Sequence, residues 1–335
     1  MAIPALSDIL KNSTSAFAAG SGVPGGSTNQ VQYNNGGLFA GATDVEIEGG
    51  QLRLDVPASE PAAPAAGGTK TFARNVGGRV MPAFKGPSGL SAVLQPHIGR
   101  NSIAFAQPIM GNATPSQVGI VLSAIGTATP ATWASTNLHT KMSRVDYLVT
   151  TAAVAAVAGW RYATVRWTVG NNNSTDGSGG FHFICQWGPA TGVATTTNRA
   201  FVGMANSTSS PTDVEPSTIT NIIGMGWDAA DTNVQIMHRG AGAITKIDLG
   251  SNFPVPTTDR TKVYDLVLFS PPNTTTQTVG YRVKDLTTGS VAEGTLTTNL
   301  PTTTTALAPR GWMSTGGTNS VIGISLMKLY VESDL

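Results

Sequence analysis

The chain has 335 residues and a formal net charge of +1, and only 12% of its residues are charged, against about 25% in an average soluble domain. A balance so close to neutral gives no bulk attraction to nucleic acid or to an anionic membrane. Since the hydrophobic share of 40% is ordinary, the surface must consist mainly of Thr, Ser, Asn, Gln and Gly, which suits an extracellular or particle-borne β protein.

Residues 1–30 contain too few apolar side chains to fold around a core of their own. We predict one short helix over Pro4–Lys11, followed by a linker, because residues 20–26 read Gly-Ser-Gly-Val-Pro-Gly-Gly. No basic stretch opens the chain and Asp8 interrupts its short apolar run, so we expect no signal peptide. The segment 1–30 is predicted to be an arm and linker.

Residues 31–56 have the pattern of a very small β module. The stretch 30–33 alternates polar and apolar residues, 34–37 reads Asn-Asn-Gly-Gly, and two further alternating segments meet at Gly49-Gly50. So few side chains cannot bury a core, and without metal or disulfides such a unit needs oligomerisation. We predict that three copies pack around a common axis, with a shared core formed by Val31, Tyr33, Leu38, Phe39, Ile47 and Leu54.

Residues 57–140 are predicted to be a spacer with short strands. The stretch 56–68 is rich in Pro and Ala and should be extended. Two strand-like segments then flank Gly77-Gly78, which indicates a tight turn. Residues 86–140 carry many Pro and Gly residues, which exclude a helical period, so we expect loops and short strands there.

Residues 141–335 contain about a dozen short strand-like segments separated by turn sequences, with almost no helical pattern. This spacing predicts an antiparallel sandwich or barrel, and the length suits a jelly roll. One segment shows the expected alternation between a buried and a solvated face: Tyr281, Val283 and Leu286 against Arg282, Lys284 and Asp285. The overall fold class is therefore predicted to be all-β.

The carboxylates offer no clear catalytic pair. Glu46 and Glu48 have the spacing of paired acids on one strand face, but they lie in the small module, where we expect a solvated face. Asp213 and Glu215 flank a single Val next to Pro and are predicted to lie in a loop. Sequence distance does not exclude a site assembled across loops, but no catalytic residue is assigned and no enzymatic activity is expected.

The metal and thiol chemistry of the chain is sparse. None of the four histidines has a second ligand at metal-binding spacing: His97, His139, His182 and His238. We expect His182 to lie between Phe181 and Phe183 on the outward face of a strand. The single cysteine, Cys185, cannot form an internal disulfide and is predicted to be an inert buried thiol. No metal and no cofactor are expected.

The tryptophans allow two interpretations. Sugars stack on Trp rings while Asn and Asp side chains bind their hydroxyls, so Trp227, Asp228, Asp231 and Asn233 form a candidate glycan loop. Tryptophan as part of a large sandwich core is the alternative, and it is favoured for any single one of them. The loops 170–180 and 227–233 are the predicted contact points, because rigid sheets commonly present function on loops.

Several stretches resemble proteins of tailed bacteriophages. The sequence PGGSTNQVQYNNGGLFAGA, residues 24–42, resembles the short β module near the N-terminus of many phage fibre and appendage proteins, and TKTFARNVGGRVMPAFKGPSG, residues 69–89, resembles the segment that follows it. The stretches KIDLG, LVLFSPPN and LYVESD resemble parts of a sandwich domain of phage structural proteins, among the concanavalin A-like jelly rolls.

The resemblance implies a homotrimeric virion protein, such as a tail fibre or spike, made in the host cytoplasm without a signal peptide. Residues 1–24 would attach it to other virion proteins, and the sandwich would meet bacterial surface carbohydrate. Nucleic acid binding and membrane insertion are not expected. Two alternatives remain open: a head or collar fibre or decoration protein with a structural or weakly adhesive role, and, less favoured because a carboxylate pair is missing, a polysaccharide depolymerase.

Overall fold

The computed structural model describes residues 27–35, 38–89, 91–93, 101–173, 178–190, 197–256, 261–272 and 276–334. The predicted helix at 4–11, the attachment segment 1–24 and His97 lie outside these ranges. The chain forms two compact units. The N-terminal unit takes residues up to Asn75 and Val80–Gln95, and the sandwich unit takes Val76–Arg79 and the chain from Pro96 onwards.

The N-terminal unit contains two three-stranded sheets, ordered β1-β2-β3 and β4-β5-β6. Their strands are β1 Gln30–Asn35, β2 Leu38–Glu48, β3 Gln51–Leu54, β4 Lys70–Val76, β5 Arg79–Lys85 and β6 Ser91–Val93. The predicted hairpins are confirmed by the register, in which Asn35 lies opposite Leu38 and Glu48 opposite Gln51. Gly49 and Gly50 have φ angles of +55° and +80°, the left-handed pair that a two-residue type I′ turn requires.

The sandwich unit contains the remaining strands. In chain order they are β7 Asn101–Gln107, β8 Ser116–Val118, β9 Leu122–Ile125, β10 Thr127–Pro130, β11 Val145–Leu148, β12 Val157–Tyr162, β13 Gly179–Pro189, β14 Arg199–Ala205, β15 Ile222–Trp227, β16 Gln235–Arg239, β17 Thr245–Asp248, β18 Tyr264–Ser270, β19 Val279–Asp285, β20 Val291–Leu296, β21 Ala308–Ser314 and β22 Gly323–Asp334. A four-residue helix, α1 Leu138–Lys141, and a 3-10 turn, Pro216–Thr218, complete it. Within the described ranges no helix is long and apolar enough to cross a membrane.

The strands form two antiparallel sheets. The larger has the order β10-β11-β22-β13-β18-β19-β20, with β7 also paired to β22 and β8 paired to β7. The smaller has the order β17-β16-β15-β14-β21-β12-β9. One continuous apolar core draws on both sheets, and Trp187 of the larger sheet stacks on Trp227 of the smaller at 6.2 Å between ring centroids. The all-β prediction is confirmed: the sandwich unit consists of two antiparallel sheets packed around a shared core.

Four tryptophans lie in this core, each less than 2% exposed: Trp160, Trp167, Trp187 and Trp227. Trp312 is equally buried but belongs to a second, smaller apolar cluster with Phe201 and Met237. Cys185 is also fully buried, and burial raises the pKa of its thiol well above the usual value, with the nearby Asp265 adding to the effect. The inert thiol expected from the sequence agrees with this environment, because the thiolate is the reactive form.

The sandwich begins earlier than the predicted boundary at residue 141, so the prediction of a spacer over 57–140 is wrong in its second half. Strand β9 pairs with β12, β10 with β11, and β7 with the C-terminal half of β22. These strands are short and are separated by tight glycine turns, so the sequence pattern did not predict them. Gly119 and Gly126 have φ angles of +68° and +73°, and a Cβ on either would overlap a carbonyl oxygen of a neighbouring strand.

The alternation along β19 is confirmed except at its end. Tyr281 and Val283 face the core and Arg282 and Lys284 are partly exposed. Asp285, predicted to face solvent, is instead fully buried. Its position is tolerated because Lys262 Nζ lies 2.6 Å from Oδ2 and backbone amides of the following turn bind Oδ1.

Candidate functional site

Trp227 cannot serve as a sugar platform, so this part of the predicted glycan loop is wrong. Its side chain is 1% exposed and belongs to the core between the sheets. The indole N–H donates to Oδ1 of Asn198 at 2.9 Å, and the ring lies against Trp187. A ring with both faces covered by protein has no surface left for a ligand.

The polar members of the predicted loop do lie together, around Lys246. Its Nζ is 3.1 Å from Asp228 Oδ2 and 2.5 Å from Asp231 Oδ1. Burial lowers the pKa of Lys246, but hydrogen bonds to the two aspartates outweigh it and raise the pKa overall. Asn233 donates to Asp248 at 3.2 Å. These bonds hold the loop after β15 in place, and a role in binding sugar stays a prediction for Asp228, Asp231 and Asn233.

A long segment between β14 and β15, residues 206–221 and here called the strap, is anchored by arginines. Arg310, 3% exposed, donates to the carbonyls of Ser207 and Ser209. Arg161, opposite it in the sheet, donates to the carbonyl of Thr208. Burial lowers the pKa of Arg310 to about 10, with the Arg161 charge as a second cause. The strap is therefore a well-bonded segment.

The strap also carries the carboxylates Asp213 and Glu215, and both are ion-paired. Arg199 lies 2.7 Å from Asp213 through Nη1 and 2.7 Å from Glu215 through Nε. Glu215 accepts the Ala229 amide at 2.9 Å, and Asp213 accepts the Ser314 hydroxyl at 2.7 Å. The predicted loop conformation is confirmed. With these bonds the two acids hold the strap to the sheet.

A Ser, a His and an Asp come together where helix α1 meets strands β11 and β22, but their hydrogen bonds are not those of a catalytic triad. Ser325 Oγ donates to Asp146 Oδ1 at 2.5 Å, and His139 Nε2 lies 3.0 Å from the same Oγ. In acyl transfer the serine proton must go to the histidine, whereas here it goes to the carboxylate. All three side chains are buried, so the cluster ties helix α1 to β22.

The outer face of the larger sheet carries a second cluster, beneath the turn at Gly77-Gly78. Their φ angles of +64° and +93° are in the left-handed region that a type I′ turn requires. A Cβ on Gly77 would lie 2.8 Å from Val267, and one on Gly280 would overlap the Gly77 carbonyl. The turn can therefore lie this close to the sheet only because glycines meet there, and this places Arg79 over β13 and β22.

Arg79 and Glu332 form a bidentate ion pair, with Nη1–Oε2 at 3.0 Å and Nη2–Oε1 at 3.2 Å. The Glu332 side chain is 1% exposed, and the Tyr330 hydroxyl donates to it at 2.6 Å. Arg79 Nη1 also lies 3.3 Å from His182 Nδ1. The Phe269 ring stands edge-on to His182, with centroids 5.9 Å apart, and 6.0 Å from the guanidinium.

A cavity of about 60 Å³ opens beside this cluster. Its lining includes Arg79, His182, Phe269, Ser270 and Glu332. His182 is 3% exposed, and its pKa is lowered to about 4, chiefly by burial and then by the Arg79 charge. The imidazole is therefore neutral at ordinary pH.

The sequence indicated only parts of this cluster. His182 was expected on the outward face of a strand, and the alternation of β13 confirms it, since Phe181 and Phe183 belong to the core. The turn at Gly77-Gly78 was also expected. The roles of Arg79 and Glu332 were missed, because 253 residues separate them and no local pattern connects them.

The N-terminal unit has an apolar pocket of about 230 Å³. Val45 and Leu54, directly opposite each other on β2 and β3, form part of its wall, together with Phe72 and two prolines. Asp44, Asp55 and Lys70 line it as well. Among the described residues of both units, no group of three or more His, Cys, Asp or Glu side chains could hold a metal ion.

Comparison with known proteins identifies no family for the chain and gives only low similarity to solved structures. No family model matches the chain, and no curated protein sequence matches it. Among solved structures, peanut lectin with a nine-residue peptide is 11% identical with a TM-score of 0.44, covering 70% of this chain and 98% of the lectin. A protein of unknown function from Shewanella oneidensis MR-1 is also 11% identical, with a TM-score of 0.45. The match covers 72% of this chain and 90% of the Shewanella protein. Lectin I from Ulex europaeus with the methyl glycoside of α-L-fucose is 11% identical, with a TM-score of 0.43. The match covers 70% of this chain and 98% of the lectin.

Proposed function

We propose that this chain is a structural protein of a tailed-phage particle, a homotrimeric fibre or spike whose sandwich contacts bacterial surface carbohydrate. The observation that carries the assembly part is the state of strands β1–β3. Across residues 27–56, no side chain that the structure describes is buried. A sheet with no core of its own is at best marginally stable in water, so other copies must supply the cover.

The exposed side chains of this sheet are large and apolar. Leu38 and Leu52 are each 62% exposed, Tyr33 is 49% exposed and Ile47 is 46% exposed. Val31 and Leu54 are half-buried, and the side chain of Phe39 lies outside the described part of the chain. Five of the six residues predicted for the trimer core thus retain accessible apolar surface that a partner could bury.

A closed ring of three requires two different surfaces on each subunit, because each copy contacts its two neighbours through opposite sides of a heterologous interface. The N-terminal unit offers both kinds of surface. Leu52 and Ile47, paired across β2 and β3, project as exposed side chains, and the 230 Å³ pocket beside Val45 and Leu54 is concave. This pairing of convex and concave apolar surface supports the trimer.

The carbohydrate part rests on the sequence resemblance and on the weakly charged, polar exterior of the sandwich. A weak contact repeated three times gains overall affinity through effective concentration, without any additional contact in the site. Residues 1–24 are proposed to join the trimer to other virion proteins. Because Trp227 is buried, the contact must use other side chains of the sandwich.

The assembly is tested by native mass spectrometry and sedimentation of the full chain. We expect a species of three times the 34.4 kDa chain mass, and a chain shortened to start at Gly25 should form the same trimer. A monomer at micromolar concentration would overturn the proposal. In a phage that encodes the protein, the shortened chain should fail to enter particles.

The carbohydrate contact is tested by incubating the trimer with purified bacterial surface polysaccharides. Binding without any shortening of the polysaccharide supports the proposal, whereas released oligosaccharides would indicate a depolymerase. A second candidate, a head, collar or decoration protein with a purely structural role, is favoured by the internal pairing of Asp228 and Asp231 with Lys246. Absence of binding to every polysaccharide would support that candidate.

A further inference from the structure

Two arginines lie next to each other beneath the strap, on the outer face of the smaller sheet. Arg161 of β12 is directly opposite Arg310 of β21 in the antiparallel register, and Cβ atoms of such neighbours are about 4.5–5.5 Å apart. Trp160 belongs to the core between the sheets, so strand alternation places Arg161 on the outer face. Both guanidiniums donate to carbonyls of the short stretch 207–209, so the two positive charges lie close together.

Neither of these arginines has a counter-charge among the residues that the structure describes, where no carboxylate lies within ion-pair distance of either. The two acids of the strap, Asp213 and Glu215, are both paired with Arg199. Arg199 is opposite Ser314, four residues along β21 from Arg310, which is about 13 Å at the rise of a strand. The negative charges of the strap therefore neutralise a different arginine.

Arg310 carries its charge inside the protein. It is 3% exposed, and arginines are almost never buried so fully unless they are paired. The carbonyls of Ser207 and Ser209 accept from its Nη2, but they supply no net charge. Burial, followed by repulsion from the Arg161 charge, lowers the pKa of Arg310 to about 10. An anion bound here would supply the missing negative charge and offset the repulsion.

The side of this pair that an anion can reach is formed by Arg161 and Ser210. Arg161 is half-buried. Its Nε donates to Ser210 Oγ at 3.3 Å and its Nη1 to the Thr208 carbonyl, whereas Nη2 donates to no described residue. Nη1 of Arg310 also lacks an acceptor among the described residues. Both of these nitrogens keep accessible surface, unlike Nε of Arg310, which is enclosed.

The hydroxyl of Ser210 adds a third donor. Ser210 is exposed, and its oxygen accepts from Arg161 while its own proton remains for another acceptor. Three donors from three side chains thus require a ligand with at least two acceptor oxygens and a negative charge. A carboxylate meets this requirement, and charge-assisted hydrogen bonds from guanidinium groups to carboxylates are among the strongest in proteins.

We propose that Arg161, Arg310 and Ser210 bind the carboxylate of an acidic sugar in a bacterial surface polysaccharide. The exposed hydroxyls of the strap at Thr208 and Ser209 are placed to contact the hydroxyls of the same sugar. The proposal rests on the carbohydrate contact proposed above and does not depend on trimer formation. It assigns sugar recognition to the strap on the outer face of the smaller sheet.

The charge requirement is tested on the full chain with matched ligands. Methyl glucuronide and methyl glucoside differ only in having a carboxylate or a hydroxymethyl group, and the galacturonide and galactoside form a second pair. Saturation-transfer NMR and calorimetry at low ionic strength should show about tenfold tighter binding of one acidic sugar, which corresponds to about 1.4 kcal/mol. The difference should shrink at high salt because salt screens exposed charges. Equal affinity within both pairs, or no binding of either acidic sugar, would overturn the proposal.

The site is tested with Arg161→Gln, which should lose the tenfold preference for the acidic sugar. Arg166→Gln is the matched control and should keep it, because Arg166 is also an exposed arginine without an acid partner in the described part of the chain but donates to Ser102. Equal losses in the two variants would reduce the effect to general charge and overturn the site. Should Arg161→Gln melt earlier than the original chain, Ser210→Ala at an exposed position should still weaken binding a few-fold.

Inorganic phosphate and whole polysaccharides separate the remaining outcomes. If phosphate competes with the acidic sugar at equal affinity, the site selects a free anion and the assignment to a sugar is wrong. If polysaccharides bind the trimer and Arg161→Gln binds them equally well, the carbohydrate contact stands and this site is excluded from it. If no polysaccharide binds but the acidic glycoside still binds through Arg161, the acid site stands and the surface contact fails.

Discussion

The β1–β3 sheet and the sandwich are built from the same alternating strand chemistry, yet they bury their apolar side chains to opposite extents. In the sandwich four tryptophans are almost fully covered between the chain's own two sheets. In the β1–β3 sheet no described side chain is buried, and Leu38 and Leu52 remain 62% exposed. Alternation therefore specifies a strand but does not specify which chain will cover it.

The difference follows from the number of layers. A sheet with a second sheet packed on it shares one core, as the stacking of Trp187 on Trp227 illustrates. The β1–β3 sheet is a single layer within a unit whose buried apolar side chains lie on β4 and β5, at Phe72, Ala73, Met81 and Ala83. Substitutions should therefore act on the sandwich through folding and on the small sheet through assembly.

The largest effect is expected for Trp187→Ala. Removing this ring leaves a cavity against Trp227 and Tyr264, and such truncations cost roughly 3–5 kcal/mol. For a domain of this size that corresponds to a fall in the melting temperature of roughly 10 °C, measurable by calorimetry. Trp133→Ala removes a Trp that is 57% exposed and should leave the melting temperature unchanged. Equal effects of the two changes would contradict the assignment of the core.

A second effect concerns acid. The pKa of His182 is about 4 in the folded chain and about 6.5 when unfolded, so the unfolded state binds the extra proton between these values. The free energy of unfolding should therefore fall as pH drops from about 6.5 to 4, by about 3 kcal/mol from this group. Arg79 and Glu332 are the charges that face it.

This pH effect is isolated with His182→Gln, which cannot titrate. Chemical unfolding at pH 7, 5.5 and 4.5 gives the free energy of unfolding of both proteins. The original chain should lose stability relative to the His182→Gln variant as pH falls. Parallel curves would mean that His182 does not change its protonation on unfolding in this range.

A smaller effect on folding, but a decisive one on assembly, is expected for Leu52→Asp. The charge is placed where another copy would bury the side chain, so the trimer should dissociate, as measured by sedimentation. The melting temperature of the sandwich should stay within about 2 °C, since exposed substitutions usually cost little. Val118→Asp, at a sandwich position that is 63% exposed, is the control and should remain trimeric. Dissociation by the control alone would place the interface on the sandwich.

The smallest effect is expected for Arg53→Ala. Arg53 lies within 3.4 Å of Glu46, Glu48 and Asp55, but the group is open to solvent, and such pairs contribute little and are screened by salt. Thermal unfolding and trimer mass should match the original chain at low and at high salt. A large loss would reveal that other copies cover this part of the sheet.

The parts of the fold that depend on neighbouring residues were predictable. Hairpins with glycine pairs, at Gly49-Gly50 and Gly77-Gly78, follow from the positive φ angles that glycine adopts without strain. The outward position of His182 follows from strict alternation along one strand. Such features need only a few consecutive residues.

The parts that depend on distant pairing were not predictable. Strand β9 is short and bounded by glycines, and it becomes recognisable only through its pairing with β12. A Trp at the end of a strand, such as Trp227, has the same sequence context whether it faces solvent or the core. The Arg79–Glu332 pair joins residues 253 positions apart, so its cavity arises only after the whole sheet is assembled.

The central position of β22 in the larger sheet determines when the sandwich can fold during synthesis. This strand lies between β13 on one side and β11 and β7 on the other, although it is the last strand to leave the ribosome among those described. The earlier strands must wait, unpaired along these edges, until residues 323–334 have been synthesised. Pairings between distant segments fold slowly, so the sandwich should form only after translation has passed its final strand. A chain that stops before Gly323 would leave β13, β11 and β7 without the strand they pair with, and such unpaired strand edges promote aggregation.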